Sequence, residues 1–305
     1  MTVTIDPAAV AQRFREEIRA QLQAASEPLH LVGILAGDHS PSLTYALYAQ
    51  RACSELGIGF ELRRYPRLGA EAAIRNANAD AEVHGIIVYY PIFGTEQDVY
   101  LRELVAPGKD IEGLHSTWAR HLYENRRFVD AAKLHKAILP CTPLAIVKLV
   151  EAAGFFHAEG RPLEGRTVTV FNRSEVVGRP LASMLAHDGA HVYSFDVDGP
   201  LLFQPPPESD PDAAHSLAET TITRQEALAQ SDIVITGVPS KSFELVHSAE
   251  LRPGALCINF STYKNFSEDV ITDGKAACFI PRVGPMTVLM VIRNALRLQQ
   301  NAQSS

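Results

Sequence analysis

An aspartate at the end of an apolar segment is the clearest candidate for chemistry in this chain. Residues 168–196 read as an apolar strand, a turn of small and polar residues, a short helix and a second strand that ends at Asp196. An acid about 20 residues beyond a phosphate-binding turn can accept hydrogen bonds from ribose hydroxyls, whereas it repels a 2′-phosphate. Asp196 therefore favours NAD over NADP, although a purely structural strand–helix–strand unit has the same layout.

The turn of this segment departs from the usual dinucleotide pattern. It lacks G-x-G-x-x-G and carries Asn172, Arg173, Ser174 and Gly178 instead. Because the N-terminus of the following helix attracts anions, we expect Arg173 and Ser174 to bind phosphate or ribose oxygens. A second turn, at residues 237–239, has small residues that would let a cofactor approach the backbone.

Cysteine and histidine usage points away from metals and disulfides. Cys53, Cys141, Cys257 and Cys278 are far apart and mostly in apolar surroundings, and the 11 histidines do not cluster at ligand spacing. We therefore expect reduced thiols and no bound metal. Cys141 lies beside a predicted helix N-terminus, which would lower the pKa of its thiol, so a nucleophile is one hypothesis and a pocket-lining residue the favoured one.

Composition limits the classes of function. A chain of 305 residues with 46% hydrophobic residues suggests two domains of about 150 residues each. Its net charge of −7 and pI near 5.9 provide no basic field for nucleic acid or an anionic membrane. No run of 18 apolar residues occurs, and the N-terminal segment resembles an amphipathic surface helix rather than a leader. We expect a soluble, cytoplasmic protein.

Strands and helices alternate along the chain, which predicts an α/β fold with parallel sheets. The first region has strands at 29–35, 60–65 and 85–90 and helices at 43–56 and 70–79. A further helix should have Thr142 as its N-cap and Pro143 at its first position, and should end at Gly154.

The second α/β region has the dinucleotide layout. Its strands are predicted at 168–171, 190–195, 232–236 and 255–260, and residues 199–221, rich in proline and acids, read as a surface insertion. A mostly buried helix should span 286–298. We assign residues 1–142 plus 284–305 to one domain and 143–283 to the other.

Six segments in order carry a resemblance to a known family. They are SPSLTY at 40–45, PGKDIEG at 107–113, LPCTP at 139–143, NRSEVVGRP at 172–180, SDIVITGVP at 231–239 and VGPMT at 283–287. Together they resemble the methylenetetrahydrofolate dehydrogenase family, in its bifunctional dehydrogenase/cyclohydrolase form and its monofunctional NAD-dependent form. The resemblance implies an N-terminal α/β folate domain, a Rossmann-type NAD domain, a cleft between them, and a homodimer that acts on a tetrahydrofolate-derived substrate.

Two departures point to the monofunctional branch. Ala49 stands where the bifunctional enzymes have the lysine that cyclohydrolase chemistry requires, and Tyr89 replaces their glutamine. We therefore expect NAD-dependent oxidation of 5,10-methylenetetrahydrofolate to the methenyl form, without hydrolysis of that product. Open alternatives are a bifunctional NADP enzyme, a lysine such as Lys136 that reaches the site from elsewhere, and a non-catalytic folate- or nucleotide-binding regulator.

The resemblance also implies roles for individual residues. Tyr45, Glu112 and Cys141 belong to the catalytic site, where Tyr45 stacks on the folate and Glu112 accepts hydrogen bonds from the pterin, while Lys109 and Asp110 form a structural ion pair. The substrate-binding set is Tyr45, Tyr89, Pro91, Glu112, Cys141 and Pro143. The cofactor-binding set is Asn172, Arg173, Ser174, Val177, Asp196, Val197, Gly237, Val238, Pro239, Asn259 and Thr287. Because a hydride leaves the substrate and no proton must leave the reacting carbon, positioning rather than a general base should dominate catalysis.

Overall fold

Short parallel strands alternate with helices along the chain in the computed structural model. The structure describes residues 1–25, 27–37 and 40–303; the side chains of Ser40 and Pro41, at the start of SPSLTY, lie outside the described residues. The strands are β1 Val3–Thr4, β2 His30–Ala36, β3 Gly59–Tyr65, β4 Gly85–Val88, β5 Thr167–Phe171, β6 His191–Asp196, β7 Gly199–Gln204, β8 Ser216–Glu219, β9 Ile233–Thr236, β10 Leu256–Asn259 and β11 Cys278–Ile280. The helices are α1 Pro7–Ala24, α2 Ser40–Leu56, α3 Ala70–Ala79, α4 Glu96–Leu104, α5 Ser116–Tyr123, α6 Cys141–Ala152, α7 Gly178–His187, α8 Arg224–Gln230, α9 Asp269–Thr272 and α10 Gly284–Gln303.

The chain divides into two compact units. The three-stranded unit comprises Ala11–His121, Arg127–Cys141 and Thr287–Ser305, and the eight-stranded unit comprises Met1–Val10, Leu122–Arg126 and Thr142–Met286. Two segments that the sequence assigned to the other domain lie in the eight-stranded unit: the first ten residues, and residues 122–126 at and beyond the end of α5.

The three-stranded unit is built on a parallel sheet in the order β3-β2-β4. The middle strand, β2, is buried at every residue after His30, which explains its continuous apolar sequence. One core cluster joins β2 and β4 to the apolar faces of α3 and α4, with Ile34, Ile74, Ile86 and Leu101 each at most 1% exposed. The sheet thereby presents the ends of β2 and β4 at one edge.

The eight-stranded unit has the order β1-β11-β10-β9-β5-β6-β7-β8. In this order, the first six strands pair in parallel with their neighbours. Strand β7 pairs antiparallel with β6, and β8 pairs antiparallel with β7. The strand predictions from 168 to 260 are each confirmed to within one residue. The ends of β5, β6, β9 and β10 therefore lie side by side, at the edge where open α/β sheets bind ligands.

Two predictions about local structure need correction. The supposed surface insertion at 199–221 contains β7 and β8, which extend the main sheet next to β6. The N-terminal segment does form the amphipathic helix α1, with Phe14 and Ile18 buried, but it is preceded by β1, which pairs with β11. No helix in the described ranges is long and apolar enough to cross a membrane.

The helix predicted to begin at Pro143 begins two residues earlier, at Cys141, so Thr142 lies inside it. Its end follows the prediction, because Gly154 has a φ of +79°. The N–H groups of Gly154 and Phe155 donate to the carbonyls of Glu151 and Val150. This is the paired ending that a left-handed glycine permits.

Candidate active site

Tyr45 and Tyr89 meet at the end of the three-stranded sheet. Tyr45 lies near the start of α2, Tyr89 directly follows β4, and their rings are edge to face with centroids 5.8 Å apart. Burial raises the pKa of the Tyr45 hydroxyl, and the neighbouring acidic groups Cys141, Glu112 and Tyr89 raise it further. The structure thus brings together four of the residues predicted for the substrate site.

Tyr89 fits here because a glycine leaves room for its ring. A Cβ on Gly33, in β2, would lie 2.8 Å from the ring of Phe60 and 3.0 Å from the ring of Tyr89. The hydroxyls of Tyr89 and Tyr90 are buried and have no hydrogen-bond partner within the described part of the chain. Buried hydroxyls without partners are unusual.

Glu112 is the partly buried acid of this cluster. Its Oε2 accepts a 3.0 Å hydrogen bond from the backbone N–H of Val88, at the end of β4. Burial raises the pKa of Glu112 to about 8, which the Val88 bond opposes and the nearby Asp110 reinforces. In the absence of a ligand, this carboxyl is therefore mainly protonated at neutral pH.

The loop that carries Glu112 is shaped by Asp110. Its buried carboxylate accepts hydrogen bonds from the backbone N–H groups of Glu112, Gly113 and His115. The predicted Lys109–Asp110 ion pair is wrong, because the Lys109 ammonium donates instead to the carbonyls of Ala77, Asn78 and Asp80. Lys109 therefore caps the C-terminus of α3, where free carbonyls attract a cation.

Asp98 shapes the loop that contains Pro91, as Asp110 shapes the loop of Glu112. Its carboxylate accepts hydrogen bonds from the N–H groups of Ile92, Phe93 and Gly94. Pro91 itself is exposed. Each of the two site loops is thus organised by one aspartate that accepts several backbone donors.

Cys141 is a buried, neutral thiol. Its Sγ donates to the carbonyl of Ile111 at 3.1 Å and receives the Asn294 side-chain N–H at 3.3 Å. The expected lowering of its pKa is wrong, because burial raises the pKa of Cys141 well above its ordinary value, and the carboxyls of Glu112 and Asp110 add to that. Desolvation outweighs the helix N-terminus, and the thiol is unsuited to act as a nucleophile.

Asn294, on α10, ties this region together. Its Nδ2 also donates to the carbonyls of Ile111 and Leu139, so that one buried amide holds the segments on either side of Glu112 and Cys141. This residue was not predicted, because a lone asparagine in an apolar helix carries no motif. Its burial in the middle of the 286–298 helix was the available signal.

Two residues near this site take no part in its polar contacts. Ala49 is 2% exposed, one turn after Tyr45 on α2. Pro143 is buried in the first turn of α6. The Lys136 side chain is exposed.

In the eight-stranded unit, Asn172 organises the turn after β5. Its Oδ1 accepts hydrogen bonds from the N–H and hydroxyl of Ser174, and its Nδ2 donates to the carbonyl of Gly237 after β9. Gly178 begins α7, and a Cβ there would lie 2.0 Å from the Asn172 carbonyl oxygen. Gly178 thus supplies the close helix–strand approach that one glycine of the dinucleotide motif provides. Val177 precedes it as the half-buried N-cap of α7.

Asp196 ends β6, as predicted, and is exposed. Its Oδ2 accepts the backbone N–H of Arg173 at 2.9 Å, and its Oδ1 accepts the N–H of Val197 at 2.8 Å. Val197 is 96% exposed at the turn between β6 and β7. The Arg173 guanidinium donates to backbone carbonyls of this hairpin.

The turn after β9 is closed by residues from the loop after β10. Asn265 is fully buried and pairs with both the N–H and the carbonyl of Val238, and Pro239 is exposed. A Cβ on Gly237 would lie 1.8 Å from the Phe260 ring, so this ring fills the space that a side chain at position 237 would need. Gly237 thus makes room for the Phe260 ring, and the approach of a cofactor to the backbone there stays a prediction.

Asn259, at the end of β10, makes its side-chain hydrogen bonds to the loop that follows this strand. Its side chain accepts from the Ser261 N–H and donates to the Tyr263 carbonyl. Thr287 is 5% exposed on α10 and belongs to the three-stranded unit. Among the described residues, no group of three His, Cys, Asp or Glu side chains could hold a metal ion.

The fold and the site define a two-unit α/β protein, with a cluster of tyrosines and acidic groups in one unit and a dinucleotide-type turn in the other. Residues 5–112 match the model of the tetrahydrofolate dehydrogenase/cyclohydrolase catalytic domain, and residues 140–202 match that of its NAD(P)-binding domain. The chain therefore belongs to the tetrahydrofolate dehydrogenase/cyclohydrolase family, which confirms the resemblance drawn from its motifs.

Relatives within this family cover nearly the whole chain. The methylenetetrahydrofolate dehydrogenase [NAD(+)] of Dictyostelium discoideum is 41% identical over 99% of this chain and 95% of its own. The enzyme of the same name from Saccharomyces cerevisiae is 40% identical, over 99% and 97%. The solved structure of the Saccharomyces cerevisiae NAD-dependent enzyme matches with a TM-score of 0.92 at 39% identity, covering 100% of this chain and 99% of that one.

Proposed function

We propose that this chain is an oxidoreductase that converts 5,10-methylenetetrahydrofolate to 5,10-methenyltetrahydrofolate with NAD as the hydride acceptor. The observation that carries this conclusion is the 39–41% identity, over 95–99% of the chain, to three enzymes named methylenetetrahydrofolate dehydrogenase [NAD(+)]. These relatives confirm the predicted enzyme class and the predicted cofactor.

The residues at the ends of β5 and β6 fit NAD. The Asp196 carboxylate uses one acceptor position on each oxygen for backbone N–H groups, and a carboxylate has about four such positions. Two positions therefore remain for the two ribose hydroxyls, while the negative charge repels a 2′-phosphate. When bound, NAD supplies the nicotinamide ring that accepts the hydride.

We assign the remaining residues at this edge to the same cofactor site. The N-terminus of α7 favours the negative charge of the pyrophosphate, and Asn172 with Ser174 sets the turn that leads to it. Val177, Val197, Val238 and Pro239 would line the site with apolar surface. Asn259 and Thr287 would lie nearer the nicotinamide, and Gly237 contributes by accommodating Phe260.

In the three-stranded unit, the Tyr45 ring and the Glu112 carboxyl are the proposed folate contacts. A pterin that donates two N–H groups would stabilise the ionised form of Glu112, because hydrogen bonds to a carboxylate favour its charge. Since the pKa of Glu112 is about 8 without ligand, substrate binding at neutral pH is coupled to loss of a proton. Tyr89, Pro91, Cys141 and Pro143 would line the pocket.

We further propose that the enzyme lacks cyclohydrolase activity. Hydrolysis of the methenyl product requires activation of water and protonation of an amine, which a lysine of lowered pKa can provide. Ala49 provides neither, and Lys109 is held by three backbone carbonyls at the end of α3. A homodimer in the cytoplasm completes the proposal, on the basis of family resemblance and acidic composition.

One assay tests the proposed reaction. Purified protein is incubated with 5,10-methylenetetrahydrofolate and either NAD or NADP, and the methenyl absorbance is followed. We expect methenyl product to accumulate with NAD, with a much slower reaction with NADP. A preference for NADP, or methenyl hydrolysis faster than the uncatalysed control, would support the bifunctional alternative, and no turnover with either cofactor would support the binding protein.

A further inference from the structure

One side chain, that of Arg173, bridges the two strands of the hairpin that carries Asp196. Strands β6 and β7 are antiparallel, with Asp196 opposite Gly199 at their ends. The Arg173 Nη1 donates to the Ser194 carbonyl at 3.1 Å and to the Gly199 carbonyl at 3.0 Å. One guanidinium nitrogen thereby bridges the two strands beside the turn.

Packing contributes little to the tip of this hairpin. Val197 is 96% exposed, and Asp198 is exposed as well. Gly199 has a φ of +93°, the left-handed conformation that a tight turn requires. With almost no burial at the tip, hydrogen bonds must define its position.

Arg173 also reaches Asp196 through its backbone. Its N–H donates to Asp196 Oδ2 at 2.9 Å, while the guanidinium donates to carbonyls on either side of that aspartate. The same residue therefore fixes the orientation of the carboxylate and the position of the strands that carry it. This differs from the expectation that the Arg173 side chain binds a cofactor phosphate.

We propose that Arg173 is a positioning residue for cofactor selectivity: its guanidinium fixes the β6–β7 hairpin and so holds the Asp196 carboxylate where the ribose hydroxyls bind. The inference rests on the proposed function, in which Asp196 binds the adenosine ribose. Preorganised acceptors cost no reordering on binding, so a loosened hairpin weakens binding of the cofactor without altering the reacting atoms.

Arg173→Met tests this role, because it keeps the backbone N–H and removes only the guanidinium. We expect KM for NAD to rise by about tenfold, the size of one charge-assisted hydrogen bond, with kcat at saturating NAD changed less than about twofold. Arg173→Lys should restore part of the affinity, since one ammonium can donate to two carbonyls. The control is Arg252→Met, which removes an exposed arginine of the same unit that pairs with Asp232, the residue before β9 at the opposite end of the strands; it should leave KM for NAD unchanged.

Binding of cofactor fragments separates positioning from a direct phosphate contact. Adenosine carries the ribose hydroxyls without a phosphate, whereas ADP carries both. If Arg173 acts through the hairpin, Arg173→Met weakens adenosine and ADP by the same factor. A loss confined to ADP would overturn the proposal, because it would place the guanidinium on the phosphates.

A double-mutant cycle with Asp196→Ser completes the test. Once the carboxylate is absent, its position no longer matters, so Arg173→Met should have little additional effect on KM for NAD. If the effects of the two substitutions on KM for NAD are additive, or if Arg173→Met has the same KM for NAD as the wild type, the proposed role of Arg173 is overturned. The ribose role of Asp196 is unaffected by either result. An Asp196→Ser variant with unchanged KM for NAD and unchanged NAD/NADP ratio would overturn the ribose role of Asp196 in the proposed function, and the Arg173 inference with it.

Discussion

Glu112 shows how burial of a single carboxyl determines its chemistry. An exposed glutamate is ionised at neutral pH, but Glu112 has its pKa raised from 4.5 to about 8 by burial. One backbone N–H, from Val88, partly offsets the cost of charging it. In the proposed function, this acceptor stays protonated until the substrate arrives, at the expense of stability at high pH.

The effect of Glu112 on stability should depend on pH. Between about pH 4.5 and pH 8 the native carboxyl keeps a proton that the unfolded chain has lost, so its contribution to the free energy of unfolding falls as pH rises, by about 1.4 kcal/mol per unit. Glu112→Gln removes this titration and should stabilise the ligand-free protein at pH 8 relative to pH 5, compared with wild type. Urea denaturation at both pH values measures the difference. Equal differences at the two values would show that Glu112 has an ordinary pKa.

Cys141 is a residue whose motif suggests reactivity, but its buried surroundings remove that reactivity. The thiol donates to the Ile111 carbonyl, and Cys141→Ser keeps a donor at that place. We expect Cys141→Ser to retain kcat within about tenfold, because the proposed hydride transfer needs no covalent intermediate. Steady-state kinetics with Cys278→Ser as the control checks this. A loss of about 1,000-fold or more, with the fold intact, would restore the nucleophile hypothesis.

At the scale of elements, the strands and helices with continuous apolar or periodic patterns are predicted well. Strand β2 and helix α3 were predicted from their sequence patterns, and the residues buried in each agree with those patterns. Strands β7 and β8 were missed because prolines and acids dominate the segment around them, and β1 because two residues are too few to show a period. Their pairing depends on a neighbouring strand edge, which local sequence does not encode.

The motif residues of the site were predicted more fully than the residues that hold them. Tyr45, Tyr89, Glu112 and Cys141 are close together, and Asp196 lies at the end of its strand, as expected. Asn294 and Asn265 were missed as organisers, because they act through backbone groups far along the chain. Asp98 was missed although its partners are only four to six residues away, because its pairing with backbone N–H groups carries no motif. Burial also reversed the expected pKa of Cys141, since the sequence showed the helix N-terminus but not the desolvation.

The edge strand β1 gives a prediction at this scale. The N–H groups of Val3 and Ile5 donate to the Ala277 and Phe279 carbonyls beside β11. Val3→Pro removes one of these donors and should lower the free energy of unfolding by about 1 kcal/mol. Thr4→Pro is the matched control, because alternate N–H groups of an edge strand point away from the sheet. Thermal denaturation of both variants measures the effect. Equal destabilisation would show that a proline at either position disrupts β1, and that loss of the Val3 hydrogen bond is not the cause.

At the scale of the whole molecule, the two units divide the proposed binding tasks. The residues assigned to the folate, apart from Pro143, lie in the three-stranded unit, and those assigned to the adenosine half of NAD lie in the eight-stranded unit. Neither unit is a continuous segment, because the chain crosses between them at residues 10–11, 121–122, 126–127, 141–142 and 286–287. Each unit therefore depends on segments that are distant in sequence, and the boundaries predicted at 142–143 and 283–284 lie near only two of these crossings.

Hydrogen exchange on the intact protein tests this division. NAD at about 100 times its Kd stabilises the bound state by about 2.7 kcal/mol, which slows exchange of amides that open only when the ligand leaves by up to about 100-fold. We expect NAD to protect the amides of Arg173 and Val197, and a folate analogue to protect those of Val88 and Glu112, whose hydrogen bonds define the two sites. The amide of Lys275, which donates to the Asp273 side chain in a turn remote from both sets of residues, serves as the internal control. Protection of Val88 and Glu112 by NAD alone, with no change at Arg173 and Val197, would reverse the assignment of cofactor and substrate to the two units.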